Sequence, residues 1–181
     1  VLRVLEHYCG VARERIAPDG RPFTVTGVPQ LQLRAFALQS KAAPYSPHRD
    51  APVAGDNIGV TITDAKSGKR VFYAPGLGEV TPPVFDAMAN ADAVLVDGTF
   101  WTDTEMIDMG LSKKRAREVG HLPQSGPGGM IEAMARLPKT TRRFLIHINN
   151  TNPILDEDSA ERATLAREGI EVCEDGMAIS V

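Results

Sequence analysis

The rhythm of the chain changes once, and that change limits the architectures open to it. Before residue 75, short β-branched and aromatic runs are parted by turn signals; after it, apolar strands alternate with helical stretches. Residues 11–16, 23–26 and 31–38 read as strands around Pro18-Asp19-Gly20 and Gly27-Val28-Pro29. The last of them alternates Leu31, Leu33, Ala35 and Ala37 with Gln32 and Arg34, one dry face and one wet. Residues 57–63 and 70–74 form a hairpin across Lys66-Ser67-Gly68-Lys69. Beyond it the spacing predicts a helix from Thr81-Pro82-Pro83 to Asn90, a buried strand over 93–96, and helices over 103–109 and 128–137. A strand over 143–148, a helix over 159–168 and a closing strand pair, 170–173 with 177–181, complete the chain. Residues 1–8 carry the spacing of the last turns of a helix. Hairpins followed by strand–helix alternation predict helices layered on a sheet, α/β or α+β, in one domain over residues 1–181.

A chain of 181 residues can hide roughly 70% of its unfolded surface, so neither disulfides nor a structural metal is needed as a staple. Its 43% apolar and 24% charged residues exclude a disordered tail, and no apolar run nears the roughly 20 residues of a membrane span. Net charge −3 removes the general attraction to phosphate backbones, so no nucleic-acid partner is expected. Cys9 and Cys173 stand alone, without the spacing of a thiolate metal site, which suits a reducing compartment and points to the cytoplasm. The opening Val1-Leu2-Arg3 has no basic stretch leading into an apolar one, and reads as a chain whose beginning has been removed rather than as a signal peptide.

Three side chains fall just after apolar runs or at loop starts, where function concentrates. Asp97 ends Ala93-Val94-Leu95-Val96 and precedes Gly98-Thr99; it is either an Asx-turn or a functional carboxylate. His147 ends Phe144-Leu145-Ile146 before an amide-rich run containing Asn149 and Asn150, and is either a satisfied core residue or an oriented imidazole. His121 opens a glycine-rich loop with Ser125 that leads into a helix, either a place where backbone amides favour an anion or a flexible loop with Ser125 as its cap, and the glycines alone are weak evidence for the first. Two imidazoles and a carboxylate suit zinc or non-haem iron(II) better than magnesium or calcium. Ser125 lacks a nucleophile-elbow setting, which disfavours a serine hydrolase. The loop over 41–50 gathers Lys41, Tyr45, His48 and Arg49, groups able to hold carboxylates, or else a solvated charge run. Lys113, Lys114, Arg115 and Arg117 read as a solvated helix face.

Longer strings carry more. VLVDGTFW at 94–101, GHLPQSGPGGM at 120–130, LIHINNTNPILD at 145–156 and Asp175-Gly176-Met177 closely resemble the coenzyme PQQ synthesis protein B family, where PQQ is pyrroloquinoline quinone. The loop KAAPYSPHRD, GDNIG at 55–59 and YAPGLGEV at 73–80 are similar too, so the likeness runs over essentially the whole chain. That family resembles the metallo-β-lactamase superfamily. The resemblance implies an αββα sandwich with metal at the edge of the two sheets, present here as an incomplete, C-terminal portion. Its HxHxDH ligand segment is missing, since His7, His48, His121 and His147 are the only histidines. So is its cysteine-rich zinc segment.

What the resemblance implies about chemistry is specific. His147 would bind metal and Asp97 would be a ligand or an orienting carboxylate. His121 would take the acid–base place of the histidine in the ribonuclease Z-like and phosphodiesterase-like branch. The superfamily's bridging aspartate is replaced by Ala74-Pro75-Gly76, which suits one metal, iron(II) or zinc, with open positions. The implied reaction is metal-dependent oxidation or hydroxylation of the tyrosine-derived ring of a glutamate–tyrosine cross-linked intermediate in PQQ biosynthesis. The alternatives are carriage or transport of PQQ or its precursor, and phosphodiester hydrolysis. Lys41, Tyr45, His48, Arg49, Ser125, Asn149 and Asn150 would contact the acidic substrate. Other PQQ-biosynthesis proteins are implied partners. This chain by itself would be inactive and hold metal weakly or not at all, and a half sandwich would pair with a second copy.

Overall fold

Residues 2–42, 46–49 and 51–181 are described by the structure, a computed structural model. Seven strands form one mixed sheet in sequence order: β1 (Asp19–Thr24), β2 (Leu31–Ala37), β3 (Ile58–Asp64), β4 (Arg70–Ala74), β5 (Ala93–Asp97), β6 (Arg142–Ile146) and β7 (Ile170–Val172). Neighbours are antiparallel from β1 to β4 and parallel from β4 to β7. The switch follows from the connections. The β3–β4 link is the short turn at 65–69, whereas every later link carries a helix and returns the chain to the same end of the sheet. Those helices are α2 (Pro82–Ala89), α3 (Glu105–Asp108), α4 (Ala116–Val119), α5 (Met130–Ala135) and α6 (Ala160–Arg167); α1 (Leu2–Cys9) precedes the sheet.

Side chains alternate across a strand, so the register sorts the core onto one face. Phe72, Val94, Val96 and Leu145 lie there, fully buried beneath Val84 and Met88 of α2, Met130 and Met134 of α5 and Leu165 of α6. Each such side chain is worth about 1.5–3 kcal/mol in apolar burial. The opposite face carries Leu33, Val60, Ile62, Val71, Leu95 and Ile146, half-buried and outside that core, Tyr73, which is 42% exposed, and the fully buried Ala35, Ala93 and Phe144. The architecture is an α/β layering, with one mixed sheet carrying its core helices on one face.

Two expected strands are absent. Residues 11–16 are irregular because Arg13, Glu14 and Arg15 face solvent, Arg13 pairing with Glu6 of α1, and β1 takes the sheet edge instead. Residues 177–181 form no strand: β7 pairs only with β6, and the Ser180 carbonyl accepts from the Arg142 guanidinium. Strand β6 stops at Ile146, short of the expected 148, because His147 turns the chain with a φ of 56°. The run read as a solvated basic face contains the short helix α4, whose entry is closed by the Arg115 amide donating to Glu118.

Candidate functional site

Strands β5 and β6 end side by side, Asp97 opposite Ile146, and the next residue of each changes direction. Gly98 makes this close approach feasible. Its N–H donates to the Ile146 carbonyl at 2.7 Å, and a Cβ there would lie 2.9 Å from that of Leu145. Asp97, fully buried, must find partners, since an unpaired carboxylate in a protein interior costs several kcal/mol. It finds four. Oδ1 accepts from the Thr99 amide (3.0 Å) and hydroxyl (2.5 Å); Oδ2 accepts from the Leu77 amide (3.0 Å) and His121 Nδ1 (2.6 Å). Burial pushes the Asp97 carboxyl up, but the bonds from His121 and Thr99 and the nearby His147 imidazole outweigh it and hold the group below its ordinary range.

His121 is delivered by Gly120, the left-handed cap of α4, and its side chain is mostly shielded beside the edge of Phe100. Because Asp97 can only accept, His121 carries a proton on Nδ1, so that in the neutral ring Nε2 is the bare nitrogen. His147 sits in left-handed backbone, unusual for a residue with a Cβ. Its Nδ1 lies 2.9 Å from the Thr99 hydroxyl and 3.8 Å from Asp97 Oδ1, and its side chain is 54% exposed. The facing Asp97 raises the His147 imidazole above its ordinary range, against an opposing effect of burial. The two imidazole rings stack 5.3 Å apart, and Asp97, His121 and His147 each offer a ligand atom within 4.8 Å of the others.

A buried amide shell holds these turns. Gln124 and Asn152 both donate to the Gly98 carbonyl, and Asn149 N–H donates to that of Thr99. Glu105, buried, accepts from the Trp101 amide and the Thr151 hydroxyl. Other expected contact residues lie elsewhere in this scaffold. Ser125 donates its hydroxyl to the Trp101 carbonyl, and the Asn149 amide group donates to Thr151. Asn150 and His48 are exposed, and Arg49 donates to the Ala42 carbonyl. Lys41 lines a cavity of about 730 Å³ with Ser40, Glu79 and Arg117, next to the Gly120 that leads into His121. Tyr45 lies outside the described residues.

Sequence reasoning passed over Thr99, although the Asp-Gly-Thr order is the signal of a hydroxyl folded back on its carboxylate. It could not have found the Leu77 amide, a backbone group with no signature.

The donor chemistry fits part of a metal shell. Each Asp97 oxygen already accepts two hydrogen bonds within the protein, so the imidazole nitrogens are the less engaged donors of the three. Such donors suit zinc or iron(II), whose sites need further ligands beyond these.

Residues 1–148 match the model of the beta-lactamase superfamily domain. The chain belongs to that superfamily. Coenzyme PQQ synthesis protein B of Azoarcus sp. is 61% identical over 98% of this chain and 58% of its own length. That of Methylobacillus flagellatus is 59% identical over 99% of this chain and 59% of its own. Zinc-bound PqqB from Methylobacterium extorquens superposes with a TM-score of 0.87 at 33% identity, covering 99% of this chain and 60% of that one. The superfamily chain described here therefore spans about three-fifths of the length of these relatives. No helix among its described residues is long and apolar enough to cross a membrane.

Proposed function

We propose that this chain serves PQQ biosynthesis as the acid–base half of a metal-dependent site that oxidises or hydroxylates the tyrosine-derived ring of a glutamate–tyrosine cross-linked intermediate. The observation that carries the reading is the Asp97–His121 contact at 2.6 Å beside an outward-turned His147. In it, His147 offers Nε2 to zinc or iron(II), and Asp97 orients His121 without joining the metal shell. Bound metal would supply Lewis acidity and, as iron(II), reactivity toward dioxygen. His121 takes up or returns a proton at Nε2 while Asp97 balances the imidazolium that forms, a role worth typically 10²–10⁴-fold. Lys41, with Arg117 across its cavity, attracts the carboxylates of an acidic substrate.

The turn after β4 favours this over hydrolysis at two metals: Ala74-Pro75-Gly76 brings no bridging carboxylate. The half-buried Leu33, Val60, Ile62 and Val71 with the exposed Tyr73, on the sheet face opposite the core helices, support a second copy, or another PQQ-biosynthesis protein, as partner.

Calorimetric titration of this chain with zinc and with iron(II) tests the metal assignment. Weak binding that His147→Ala abolishes is expected, and a tight stoichiometric ion indifferent to that substitution would overturn it. In the protein at the length of its relatives, iron(II)-dependent oxygen uptake with the cross-linked substrate is expected. Tight PQQ binding without turnover would replace the reading with a carrier, and cleavage of a model phosphodiester with a hydrolase.

A further inference from the structure

Thr99 stands at the centre of the cluster. Its Oγ1 lies 2.5 Å from Asp97 Oδ1, 3.0 Å from His121 Nδ1, 2.9 Å from His147 Nδ1 and 2.9 Å from the His147 carbonyl. A hydroxyl has one proton to give and two lone pairs to accept with, so these contacts cannot all be hydrogen bonds of one kind. Asp97 Oδ1 and the Thr99 oxygen, at that separation, need a proton between them, and the carboxylate has none. The Thr99 proton therefore points at Asp97 and cannot also serve the His147 carbonyl. What remains on Thr99 Oγ1 is acceptor capacity; of the two imidazole nitrogens near it, His121 Nδ1 at 3.0 Å gives its proton to Asp97 Oδ2 2.6 Å away, which leaves His147 Nδ1 at 2.9 Å. A bare nitrogen there would set lone pair against lone pair, while an N–H completes the chain.

We propose that Thr99 is a positioning residue that relays the Asp97 charge to His147 and holds that imidazole as its Nδ1–H tautomer, with the Nε2 lone pair turned outward for a divalent cation. This deepens the reading of His147 as a metal donor and rests on it for its purpose. The geometry of the relay stands apart from that reading. Asp97 then sets both histidines through separate oxygens: Oδ2 directly for His121, Oδ1 through Thr99 for His147. Direct contact with His147 is too long for a hydrogen bond, at 3.8 Å, so the hydroxyl is the link. The half-exposed ring otherwise has little to choose one nitrogen over the other.

The test is a two-bond proton–nitrogen correlation spectrum of the metal-free chain labelled with ¹⁵N-histidine, recorded above the imidazole titration range. Both His121 and His147 are expected as Nδ1–H. In Thr99→Val, His121 stays Nδ1–H while His147 shifts toward Nε2–H, and Thr99→Ser restores it. Zinc affinity should fall about tenfold in Thr99→Val, the low end of what orienting partners of ligating histidines contribute, and recover in Thr99→Ser. His147 found as Nε2–H in the unsubstituted chain overturns the inference even if the valine variant does not fold. So does a His147 tautomer indifferent to Thr99→Val. Tautomers that respond as expected, with zinc binding indifferent to His147→Ala, would instead sink the metal reading and leave the relay standing.

Discussion

Asp97→Ala is expected to cost about 3–5 kcal/mol of stability, the range for stripping one partner from a buried charged pair. Four donors depend on this carboxylate, and three of them, the amides of Leu77 and Thr99 and the Thr99 hydroxyl, are buried with it or lie beside it. Alanine leaves the two amides unsatisfied, while the Thr99 hydroxyl still has the His147 carbonyl 2.9 Å away; each orphaned amide accounts for about 1–3 kcal/mol of that loss. The melting temperature of a chain this size should fall on the order of 10 °C. Urea denaturation measures the loss directly, and one below about 1 kcal/mol would mean that the buried carboxylate is not held as described.

The pH dependence of the metal-free chain should change with it. The Asp97 pKa is lowered by folding, so its contribution is present above the ordinary carboxylate range near 3.9 and lost as pH falls through the lower folded value. The His147 pKa is raised, so its contribution is full below about 6.5 and lost as pH rises through the folded value. Both slopes share the Asp97 charge. In Asp97→Ala the acid-side fall due to this group should vanish and the fall above neutrality should flatten, which denaturation across a pH series would record.

Gly120→Ala should be nearly as damaging for an unrelated reason. Its φ of +97° already disfavours a Cβ by about 1–2 kcal/mol. That atom would also stand 2.5 Å from the Lys41 amide nitrogen and 2.8 Å from both Lys41 Cβ and Ser40 Oγ. Backbone cannot yield as a flexible side-chain tip does, and overpacking of this sort costs about 1–3 kcal/mol more. The Ser40 hydroxyl, which donates to the Gly120 carbonyl at 2.6 Å, would be forced off its acceptor. Because His121 is the next residue, the shift should also loosen its bond to Asp97, seen as loss of the protected Nδ1–H signal. Gly126→Ala supplies the comparison: its φ is +82° with nothing within 4 Å, so only the conformational cost applies. Equal losses in the two variants would show that the junction of the 39–41 and 120–122 loops is not tight.

Much of the scaffold was legible along the chain because its signals are local. The hairpin of β3 and β4, the capped helix α6 behind Ser159 and the alternation of β2 all rest on neighbours within a few positions. Reading failed where local pattern had no tertiary partner. Residues 11–16 and 177–181 have the composition of strands, yet no neighbouring strand takes up their amides, so they stay irregular. It also failed where one residue's backbone decided an end, as His147 does for β6.

Sequence alone was enough to single out Asp97, His121 and His147 and to suggest kinship, because residue identity and long matching strings are properties of the chain. It left open whether Asp97 faces a metal or the protein, and it gave Thr99 no part. Those points depend on which groups converge on two carboxylate oxygens from 20 to 50 positions away, Leu77 and His121 as direct donors and His147 beside Thr99. Convergence of that kind is set by parallel strands ending side by side and by glycines that let loops touch, and no stretch of sequence contains it.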